Sequence, residues 1–506
     1  MAEIEINADF QRALVILEKT SQNVFITGRA GTGKSTFLGY FVANTKKKAV
    51  VLAPTGVAAV NVGGQTIHSF FRIAPGCTVE EAKEEAQNRK NVDVYKKLEA
   101  IIIDEISMVR ADLLDCVDIF LKTALRDERP FGGKQMVFIG DLCQLPPVMK
   151  GDEKKAFAGQ YLSEYFFGAK AMNRFEYVLI EFSKIYRQSD QKFIELLNRI
   201  RNKTATEQDM TKINERTYVD GEDEGYIHLV TTNKMAEEIN QKKLSQIKEK
   251  QYDFRGIIEG EFEPSSLPTE LVLKLKKGAQ IMFVANDHFR RWVNGTIGKI
   301  TKIHKGLIIA KTQSGKSVKV SMHTWEMYRY KFNSQKGAME KETIGSFTQY
   351  PIKLAWAVTI HKSQGKTFDK VIIDIGKGTF TFGQLYVALS RCTTLEGLKI
   401  KTPLRKSHIW LDWKVVEYLT QFQYRQSEKS FGNKREIIEN AIKKKQKLEI
   451  CYLKPNDEKS HRTITPIAIK QTEYLGHEFE GLEAYCHTKK DKRNFKIERI
   501  LEIKSV

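Results

Sequence analysis

A glycine-rich segment near the N-terminus has the residue types and spacing that bind a nucleoside triphosphate. Gly28-Arg-Ala-Gly-Thr-Gly-Lys-Ser35 follows an apolar run, and residues 35–43 can continue as a helix. Backbone N–H groups of such a loop close around phosphate oxygens, and the helix N-terminus adds partial positive charge. Lys34 is predicted to reach the β- and γ-phosphates, and Ser35 to ligate Mg²⁺. The alternative is a glycine-rich turn that carries an accidental Lys-Ser pair.

Two acids and a glutamine complete the predicted hydrolytic chemistry. Asp104 and Glu105 end an apolar run that begins at residue 100. Asp104 is predicted to hold Mg²⁺ through its waters, and Glu105 to polarise the attacking water. Gln144, in Gly140-Asp-Leu-Cys-Gln-Leu-Pro-Pro147, follows another apolar run and is predicted to sense the γ-phosphate. The chain has no Asn/Thr-Lys-x-Asp motif for guanine, which favours ATP.

Two arginines far along the chain are candidates for stabilising the transferred phosphoryl group. Arg187 lies in Ile-Tyr-Arg-Gln, and Arg391 ends a segment in which Gln384, Ala388 and Arg391 would share one helix face. Guanidinium groups supplied by a second lobe would make hydrolysis depend on closure between lobes. A surface or interlobe salt bridge is the alternative for either arginine.

The elements that must position these residues indicate an α/β fold. Apolar runs without polar alternation predict strands buried on both faces, as in a parallel sheet covered by helices. They occur throughout the first 150 residues, and again at 227–231 and 370–374. Short β-rich runs with Gly-Lys turns predict a small inserted barrel at 276–349. Polar residues at 426–433 predict a linker, and the last segment has its own helix-then-strands pattern.

Composition narrows the class of partner and the compartment. The chain has 506 residues with 82 basic and 62 acidic side chains, a net charge of +20 that favours a polyanion such as nucleic acid. A basic enzyme with a solvated surface is the alternative. No long apolar stretch or N-terminal signal pattern occurs, so no membrane association is expected. Six widely spaced cysteines fit a reducing cytosol and predict no structural zinc.

The motifs taken together resemble the Pif1 family of superfamily 1 DNA helicases. The resemblance covers about residues 5 to 425 and rests on residues 53–59, 63–71, 104–109, 131–133, 140–148, 277–280, 293–296, 359–365 and 386–391. It implies two RecA-like lobes with ATP between them, DNA across their top and 5′-to-3′ movement. Arg29 and Cys143 depart from the family pattern, where a small residue and an aromatic residue are commoner.

The resemblance also implies the site residues. Gln11 falls at the adenine-reading position, and Tyr186 is a plausible adenine stacker. The predicted ATP-binding residues are Gln11, Gly28, Ala30, Gly31, Thr32, Gly33, Lys34, Ser35, Thr36, Tyr186, Gln364 and Gly365. The predicted DNA-binding residues are Pro54, Thr55, Gly56, Val57, His68, Ser69, Phe70, Thr232, Asn233, Asn294, Thr359, His361, Lys362 and Ser363. Their donors, cations and aromatic rings suit non-specific single-strand binding, although core packing is the alternative for any one aromatic residue.

The C-terminal segment is similar to a WYL domain, a small barrel often appended to bacterial nucleic-acid proteins. Tyr452, Arg462-x-Ile-x-Pro466 and the segment around Arg493 and Arg499 carry the similarity, whereas the naming Trp-Tyr pair is absent before Leu482. Arg462, Arg493 and Arg499 are predicted to meet phosphates of a nucleic-acid ligand. The predicted domains are a first lobe at 1–180 with an accessory insertion at about 66–98, a second lobe at 181–275 and 350–425, a barrel at 276–349, a linker at 426–433 and a WYL-like domain at 434–506.

The sequence therefore predicts a bacterial, cytoplasmic and monomeric ATP-dependent 5′-to-3′ DNA helicase. It would require ATP and Mg²⁺ and act on single-stranded and tailed duplex DNA, and the WYL-like domain would modulate it. The alternative is a nucleic-acid-binding regulator that uses ATP as a slow switch, without processive unwinding. Glu105, Gln144, Arg187 and Arg391 favour the motor, because a switch could dispense with fast hydrolysis.

Overall fold

A computed structural model describes most of the chain. The described residues are 5–89, 92–149, 157, 159–221, 223–289, 291–304, 306–333, 335, 338–429, 431–453, 459–474 and 477–505. The chain divides into two compact units, Met1–Leu411 and Asp412–Val506. Within the described part of the chain, no helix has the length and apolar character needed to cross a bilayer.

The first unit contains eleven described helices and twenty described strands. The helices are α1 (Ala8–Lys19), α2 (Lys34–Asn44), α3 (Gly56–Asn61), α4 (Ile67–Phe71), α5 (Val79–Gln87), α6 (Asp93–Lys97), α7 (Ala111–Leu125), α8 (Gln191–Arg201), α9 (Glu207–Asn214), α10 (Asn233–Gln246) and α11 (Gln384–Leu389). The strands are β1 (Asn23–Gly28), β2 (Ala49–Ala53), β3 (Gln65–Thr66), β4 (Ala100–Ile103), β5 (Gln135–Ile139), β6 (Tyr177–Phe182), β7 (Ile227–Val230), β8 (Gln251–Arg255), β9 (Ile257–Gly260), β10 (Val272–Lys276), β11 (Gln280–Phe283), β12 (Ile297–His304), β13 (Leu307–Thr312), β14 (Ser317–Val320), β15 (His323–Asn333), β16 (Ala338–Gln349), β17 (Ile352–Leu354), β18 (Ala357–Thr359), β19 (Val371–Asp374) and β20 (Leu398–Ile400).

The first lobe is built on a six-stranded parallel sheet with the order β3-β2-β4-β5-β1-β6. Every residue of β4 and β5 is buried, which explains why these runs lack polar alternation. The parallel arrangement brings the carboxyl ends of β1, β4 and β5 to one edge. The phosphate loop, the acidic pair and the segment with Gln144 all follow these strands, so the sheet assembles them.

The second lobe is built on a smaller parallel sheet with the order β18-β7-β19-β20. The two runs predicted as buried strands, at 227–231 and 370–374, form the central strands β7 and β19. More than a hundred residues lie between these neighbours, because the chain leaves the sheet after α10 and returns at β18. The prediction of two parallel-sheet lobes with an inserted segment is confirmed.

The core of the inserted barrel includes residues outside the predicted range of 276–349. Its antiparallel sheet has the order β14-β13-β12-β11-β17, and a hairpin of β8 and β10 lies beside it. Leu273, Leu275 and Ile352 are buried in the same cluster as Ile281 and Ile308. The range 276–349 is therefore too narrow for this core. The missed signal was the alternation of exposed and buried residues in β10, which places both leucines inward.

A long hairpin of β15 and β16 extends from the barrel region to the first lobe. The Tyr330 hydroxyl accepts a hydrogen bond from the Val51 N–H at 3.2 Å, beside the edge of the first-lobe sheet. Lys341 donates to the Gly63 carbonyl, and the Phe332 ring lies 5.5 Å below the Lys48 ammonium group. These contacts tie the insertion to the first lobe as well as to the second, which nothing in the sequence predicted.

The second unit, Asp412–Val506, packs two helices and one antiparallel sheet. They are α12 (Trp413–Lys429), α13 (Phe431–Lys444), β21 (Leu448–Leu453), β22 (Lys459–Tyr474), β23 (His477–Cys486), β24 (Asp491–Lys496) and β25 (Ile500–Ser505), in the sheet order β24-β23-β22-β21-β25. The predicted linker at 426–433 falls on the end of α12 and the start of α13, apart from residue 430, which lies outside the described residues. Polar composition did not distinguish a linker from a helix, because Gln, Glu and Lys have good helix propensity.

Candidate nucleotide site and nucleic-acid track

The phosphate loop connects β1 to α2 through backbone conformations that favour glycine. Gly31 and Gly33 have φ angles of 83° and 85°, in the left-handed region. Lys34 opens α2, and its Nζ donates to the carbonyls of Gly28 at 2.6 Å and Arg29 at 3.1 Å. Burial lowers the pKa of Lys34, and the nearby Asp141 and Glu105 carboxylates oppose that shift. The loop thus holds a cation at the position predicted for the triphosphate.

In the acidic pair after β4, Asp104 is buried and Glu105 is half-buried with a strained backbone. Glu105 has φ 51° and ψ 42°, a left-handed conformation that costs a non-glycine residue about 1–3 kcal/mol. Burial and the Glu105 charge raise the pKa of Asp104 to about 7. Burial also raises the pKa of Glu105, whereas Lys34 and Arg391 oppose that rise. Two adjacent carboxyl groups, one buried and one half-buried, suit a site completed by a cation.

Gln364 connects the second lobe directly to this acidic pair. Its Nε2 donates to Glu105 Oε2 at 3.0 Å across 259 residues of sequence. Gln364 follows the short 3₁₀ turn His361–Ser363, which carries predicted DNA-binding residues. The prediction assigned Gln364 to ATP binding. The structure adds that it contacts the residue predicted to activate water.

Arg187 lies directly over the phosphate loop. A Cβ built on Gly31 would lie 2.5 Å from the Arg187 Cβ, and the Tyr186 N–H donates to the Gly31 carbonyl at 2.8 Å. The Arg187 guanidinium donates to the Ser390 carbonyl of the second lobe at 3.3 Å. Burial lowers the pKa of Arg187. This arginine therefore reaches the nucleotide loop and the end of α11 together.

Arg391 is buried beside Arg187, with only 1% of its surface exposed. Its Nε donates to the Val387 carbonyl at 2.9 Å, and its Nη1 donates to the Lys366 carbonyl at 3.3 Å. Burial and the Arg187 charge lower the pKa of Arg391 to about 9. Two guanidinium groups close enough to repel favour an anion between them, as a transferred phosphoryl group would be.

A buried ion pair between Asp141 and Arg201 also connects the lobes, and sequence reasoning missed it. Arg201, at the end of α8, places Nη2 3.2 Å from Asp141 Oδ1. Asp141 Oδ2 accepts from the Gln144 Nε2, also at 3.2 Å, so the ion pair contacts the predicted sensor. Sixty residues separate the two partners, and no spacing pattern links them. Nearby, the Tyr386 hydroxyl accepts from the Ala30 N–H at 3.0 Å.

The predicted adenine-binding residues lie beside the phosphate loop on the first lobe. The Tyr186 hydroxyl accepts from Asn7 Nδ2 at 3.0 Å, and Asn7 caps the helix that carries Gln11. Gln11 is exposed on the first turns of α1, and Tyr186 is 43% exposed. Ser35 and Thr36 are exposed at the start of α2, whereas Thr32 is buried within the loop. The arrangement leaves Tyr186 accessible to a base.

The predicted DNA-binding residues follow the carboxyl ends of β2, β7 and β18. Thr55 and Thr232 cap α3 and α10 through their side-chain oxygens, and Val57 and Asn233 are exposed next to these caps. Lys362 is exposed after β18. Because β7 and β18 are parallel neighbours, the Thr232 and Lys362 segments share one edge of the sheet.

Asn294 joins the track from the insertion. Its Nδ2 donates to the Asn61 Oδ1 at 3.4 Å, at the end of α3 in the first lobe. Pro54, Gly56 and His68, which lie close to Asn61 in the sequence, are half-buried. Burial lowers the pKa of His68 and of His361, so these rings offer neutral donors rather than cations.

Three residues predicted to bind DNA are internal instead. Phe70 is 4% exposed, and its ring packs against Phe71, Tyr95 and Tyr330. Ser363 is fully buried, and its hydroxyl donates to the Ile360 carbonyl at 2.7 Å.

The third is Thr359, which is 4% exposed and accepts from the Lys362 N–H at 3.2 Å. Ser69, half-buried, accepts from the Gln65 side chain at 2.8 Å. Short hydroxyl side chains next to a turn bond to nearby backbone, so Thr359 and Ser363 shape the loop rather than face the track.

In the C-terminal unit, the sheet brings two of the predicted arginines to one face. Arg462 lies 5.8 Å from the Phe495 ring, and its Nε donates to Ser460 Oγ at 3.1 Å. Arg493 is exposed on β24, two residues from Phe495 and therefore on the same face. Arg499, on the 3₁₀ turn Ile497–Arg499, is half-buried.

Fold and site together define a P-loop motor with two RecA-like lobes. The comparisons with known proteins agree. The PIF1-like helicase family model matches residues 8–211, the UvrD-like helicase C-terminal domain matches 354–395, and the WYL domain matches 434–505. The ATP-dependent DNA helicase Pif1 of Bdellovibrio bacteriovorus is 33% identical over 429 residues, which cover 83% of this chain and 93% of that protein. The chain belongs to the PIF1-like helicase family.

Solved structures of relatives extend this similarity to the fold. Bacteroides sp. Pif1 in complex with ADP-AlF4 is 38% identical, with a TM-score of 0.77, and the match covers 83% of this chain and 97% of that one. Pif1 helicase from Candida albicans is 29% identical, with a TM-score of 0.64, over 83% of this chain and all of that one. The human ATP-dependent DNA helicase PIF1 is 32% identical over 77% of this chain but only 60% of its own length.

Proposed function

We propose that this chain hydrolyses ATP to move 5′-to-3′ along single-stranded DNA and to unwind duplex DNA. Its relatives are ATP-dependent DNA helicases, and the chain is an enzyme of this kind. The contact between Gln364 and Glu105 carries the proposal, because it joins the loop that bears His361 and Lys362 to the predicted water-activating acid. Binding of DNA to that loop would thus reach the hydrolytic residue directly.

The residues of the cleft fit a magnesium ion. Asp104 and Glu105 are adjacent acids, and burial together with the Glu105 charge raises the pKa of Asp104 to about 7, so a cation held there would stabilise the ionised pair. Ser35 is exposed at the first turn of α2, the position from which such a loop ligates metal. Asp104 and Ser35 would hold Mg²⁺, which would neutralise charge on the β- and γ-phosphates.

Each predicted catalytic residue has a distinct task. Lys34 offsets triphosphate charge, and Glu105 accepts a proton from the attacking water. Gln144, oriented by Asp141, distinguishes the triphosphate from the diphosphate. Arg187 and Arg391 stabilise the charge on the transferred group when the lobes close. ADP release would reopen the cleft, and the alternation would move the lobes along the strand.

Solved structures support DNA as the partner. The relatives include Bacteroides Pif1 bound to single-stranded DNA and Pif1 helicases at forked double-stranded DNA. The exposed Thr55, Val57, Asn233 and Lys362 of this chain would contact the strand backbone. The alternative, an ATP-switched regulator, is not favoured because both arginines and Glu105 lie together in the cleft. The monomeric state and the bacterial cytosol remain predictions.

We expect unwinding to require a 5′ single-stranded tail and ATP hydrolysis to increase when single-stranded DNA is added. The polarity follows from the family resemblance, and the increase follows from the Gln364–Glu105 contact. Strand separation on matched 5′-tailed and 3′-tailed duplexes measures the first, and steady-state hydrolysis with and without oligonucleotide measures the second. Preferential unwinding of the 3′-tailed duplex would refute the polarity.

We propose further that the WYL domain modulates the motor through a second DNA contact. Arg462 and Arg493 lie on one face of its sheet, where they could meet phosphates. A weak contact tethered to the motor raises avidity through its effective concentration. We propose the two lobes, the barrel and this domain for the chain, with the barrel core extended beyond 276–349 and the WYL domain at 434–505, within the unit that begins at Asp412.

Truncation after Leu411 is expected to leave an ATP-hydrolysing helicase with changed DNA affinity or unwinding rate. Every motif of the motor ends by Arg391, and the compact first unit ends at Leu411. DNA affinity across a salt series and unwinding rates of both proteins provide the measurement. Identical behaviour of the two proteins, with no oligonucleotide binding by the isolated segment 412–506 at low salt, would contradict the modulation.

A further inference from the structure

Lys366 occupies a junction that neither the motifs nor the predicted site residues include. Its Nζ donates to Asn294 Oδ1 at 2.6 Å, and Asn294 contacts Asn61 of the first lobe. The Lys366 carbonyl accepts from Arg391 Nη1 at 3.3 Å. The side chain of Lys366 therefore contacts a residue predicted to bind DNA, while its backbone accepts a hydrogen bond from an arginine predicted to act on the nucleotide.

Lys366 has another cation for a neighbour. Lys353, half-buried on β17, is close enough that its charge lowers the pKa of Lys366, which burial already lowers, to about 7. Burial and Lys362 lower the pKa of Lys353 itself to about 8, and Glu270 opposes that shift. Among the described residues, no carboxylate forms an ion pair with Lys366. Lys366, Lys353 and Lys362 outnumber Glu270, the acid that acts on Lys353, and together make a local excess of positive charge.

We infer that Lys366 binds a backbone phosphate of single-stranded DNA, with Asn294 orienting its side chain and Lys353 adding positive charge nearby. The inference rests on the proposed helicase function. Like charges held together at half-buried positions disfavour the unliganded state, and a phosphodiester would relieve that repulsion. Asn294 lies between α3 and the 361–366 loop, so a phosphate at Lys366 would be flanked by predicted strand contacts from both lobes.

The site could alternatively serve a nucleotide phosphate, since Arg391 contacts the Lys366 carbonyl. The geometry favours DNA because the Lys366 Nζ points to Asn294 of the insertion, whereas only its backbone contacts the nucleotide site. Two binding experiments distinguish a DNA phosphate from a nucleotide phosphate at this site. One titrates a fluorescent oligothymidylate without nucleotide, and the other titrates ATP without DNA.

The first test compares Lys366→Gln and Lys353→Gln with wild type for oligothymidylate affinity between 50 and 200 mM salt. Lys366→Gln should reduce the slope of log affinity against log salt by about 0.7, the value for one phosphate contact on a single strand, and Lys353→Gln should reduce it by less. Lys366→Arg should retain the slope, because it keeps the charge. Lys319→Gln, at an exposed lysine on β14, is the matched control and should leave the slope unchanged.

The second test uses pH. Because Lys366 has a pKa of about 7 in the free protein and a phosphate favours its charged form, binding should take up a proton above pH 7. Wild-type affinity should therefore fall as pH rises from 7 to 9. The charged groups facing this position are Lys353, with Lys362 and Glu270 beside it. Lys366→Arg should weaken the pH dependence while retaining the salt slope, which a purely structural role would not produce.

The outcomes separate the inference from the proposed function. Absence of oligothymidylate binding by the wild type would overturn both. Normal wild-type binding with unchanged salt slopes in Lys366→Gln and Lys353→Gln would overturn the inference alone. A loss of ATP affinity in Lys366→Gln, with normal oligothymidylate binding, would assign the site to the nucleotide and equally overturn it. Thermal unfolding of each variant excludes misfolding as the cause of a changed slope.

Discussion

Glu105→Gln is expected to reduce ATP turnover by about 10²–10⁴-fold while ATP still binds, because general-base catalysis contributes a factor of that order. Glu105 follows the buried strand β4 and accepts a hydrogen bond from Gln364. An amide of the same size keeps the packing but cannot take a proton from water. Nucleotide titration and steady-state hydrolysis, with and without single-stranded DNA, measure the two effects separately.

Lys34→Ala is expected to weaken nucleotide binding as well as turnover, because the Lys34 Nζ lies within the phosphate loop. Glu84→Gln, at an exposed acid on α5, is the control and should behave as wild type. Turnover by Glu105→Gln close to the wild-type rate would refute its assignment as the base.

Arg187→Ala and Arg391→Ala are each expected to lower kcat by at least about tenfold, equivalent to about 1.4 kcal/mol of transition-state stabilisation. Arginines that reach a transferred phosphoryl group contribute as much as about 10³–10⁵-fold in other phosphoryl-transfer enzymes. Arg391 is buried and Arg187 is half-buried beside it, and the Arg187 charge lowers the pKa of Arg391, so an anion in the cleft would relieve that repulsion. DNA affinity should change little.

Arg391 also donates to backbone carbonyls, so its loss tests stability as well as catalysis. Arg391→Lys keeps a charge with fewer donors, and its turnover should lie between those of wild type and Arg391→Ala. Arg174→Ala, at an exposed arginine, is the matched control. If either variant lost DNA binding at normal basal hydrolysis, that arginine would belong to the DNA track instead.

Much of the motor was predictable because its chemistry depends on local sequence. The phosphate loop needs left-handed glycines and a lysine at the start of a helix, and these are adjacent in the chain. The acids follow a run of isoleucines, which indicated a central parallel strand, and all four residues of that strand are buried. Family resemblance then supplied the order of the remaining motifs and, with it, the polarity of movement.

Where the structure buries a residue predicted to bind DNA, the residue type has more than one common role. Phe70 is an aromatic residue next to a predicted track, yet a neighbouring cluster of aromatic rings buries it. Ser363 and Thr359 carry hydroxyl groups suited to phosphates, but the 3₁₀ turn beside them uses both. Polar residues at 426–433 fit a linker and a helix equally well. For Phe70, the neighbouring rings in space, which the sequence does not specify, decided the outcome.

The sequence by itself determined the fold family and the residues proposed to carry the chemistry, since these depend on side-chain type and on spacings within a few residues. Only the tertiary structure decided how they are coupled. Gln364 reaches Glu105 across 259 residues, and Arg201 reaches Asp141 across 60. The approach of α11 to the first lobe is equally non-local, because a Cβ on Gly383 would lie 2.4 Å from the carbonyl oxygens of residues 143 and 144. Such contacts depend on how two separate sheets pack together, and the local periodicity of the sequence does not predict that packing.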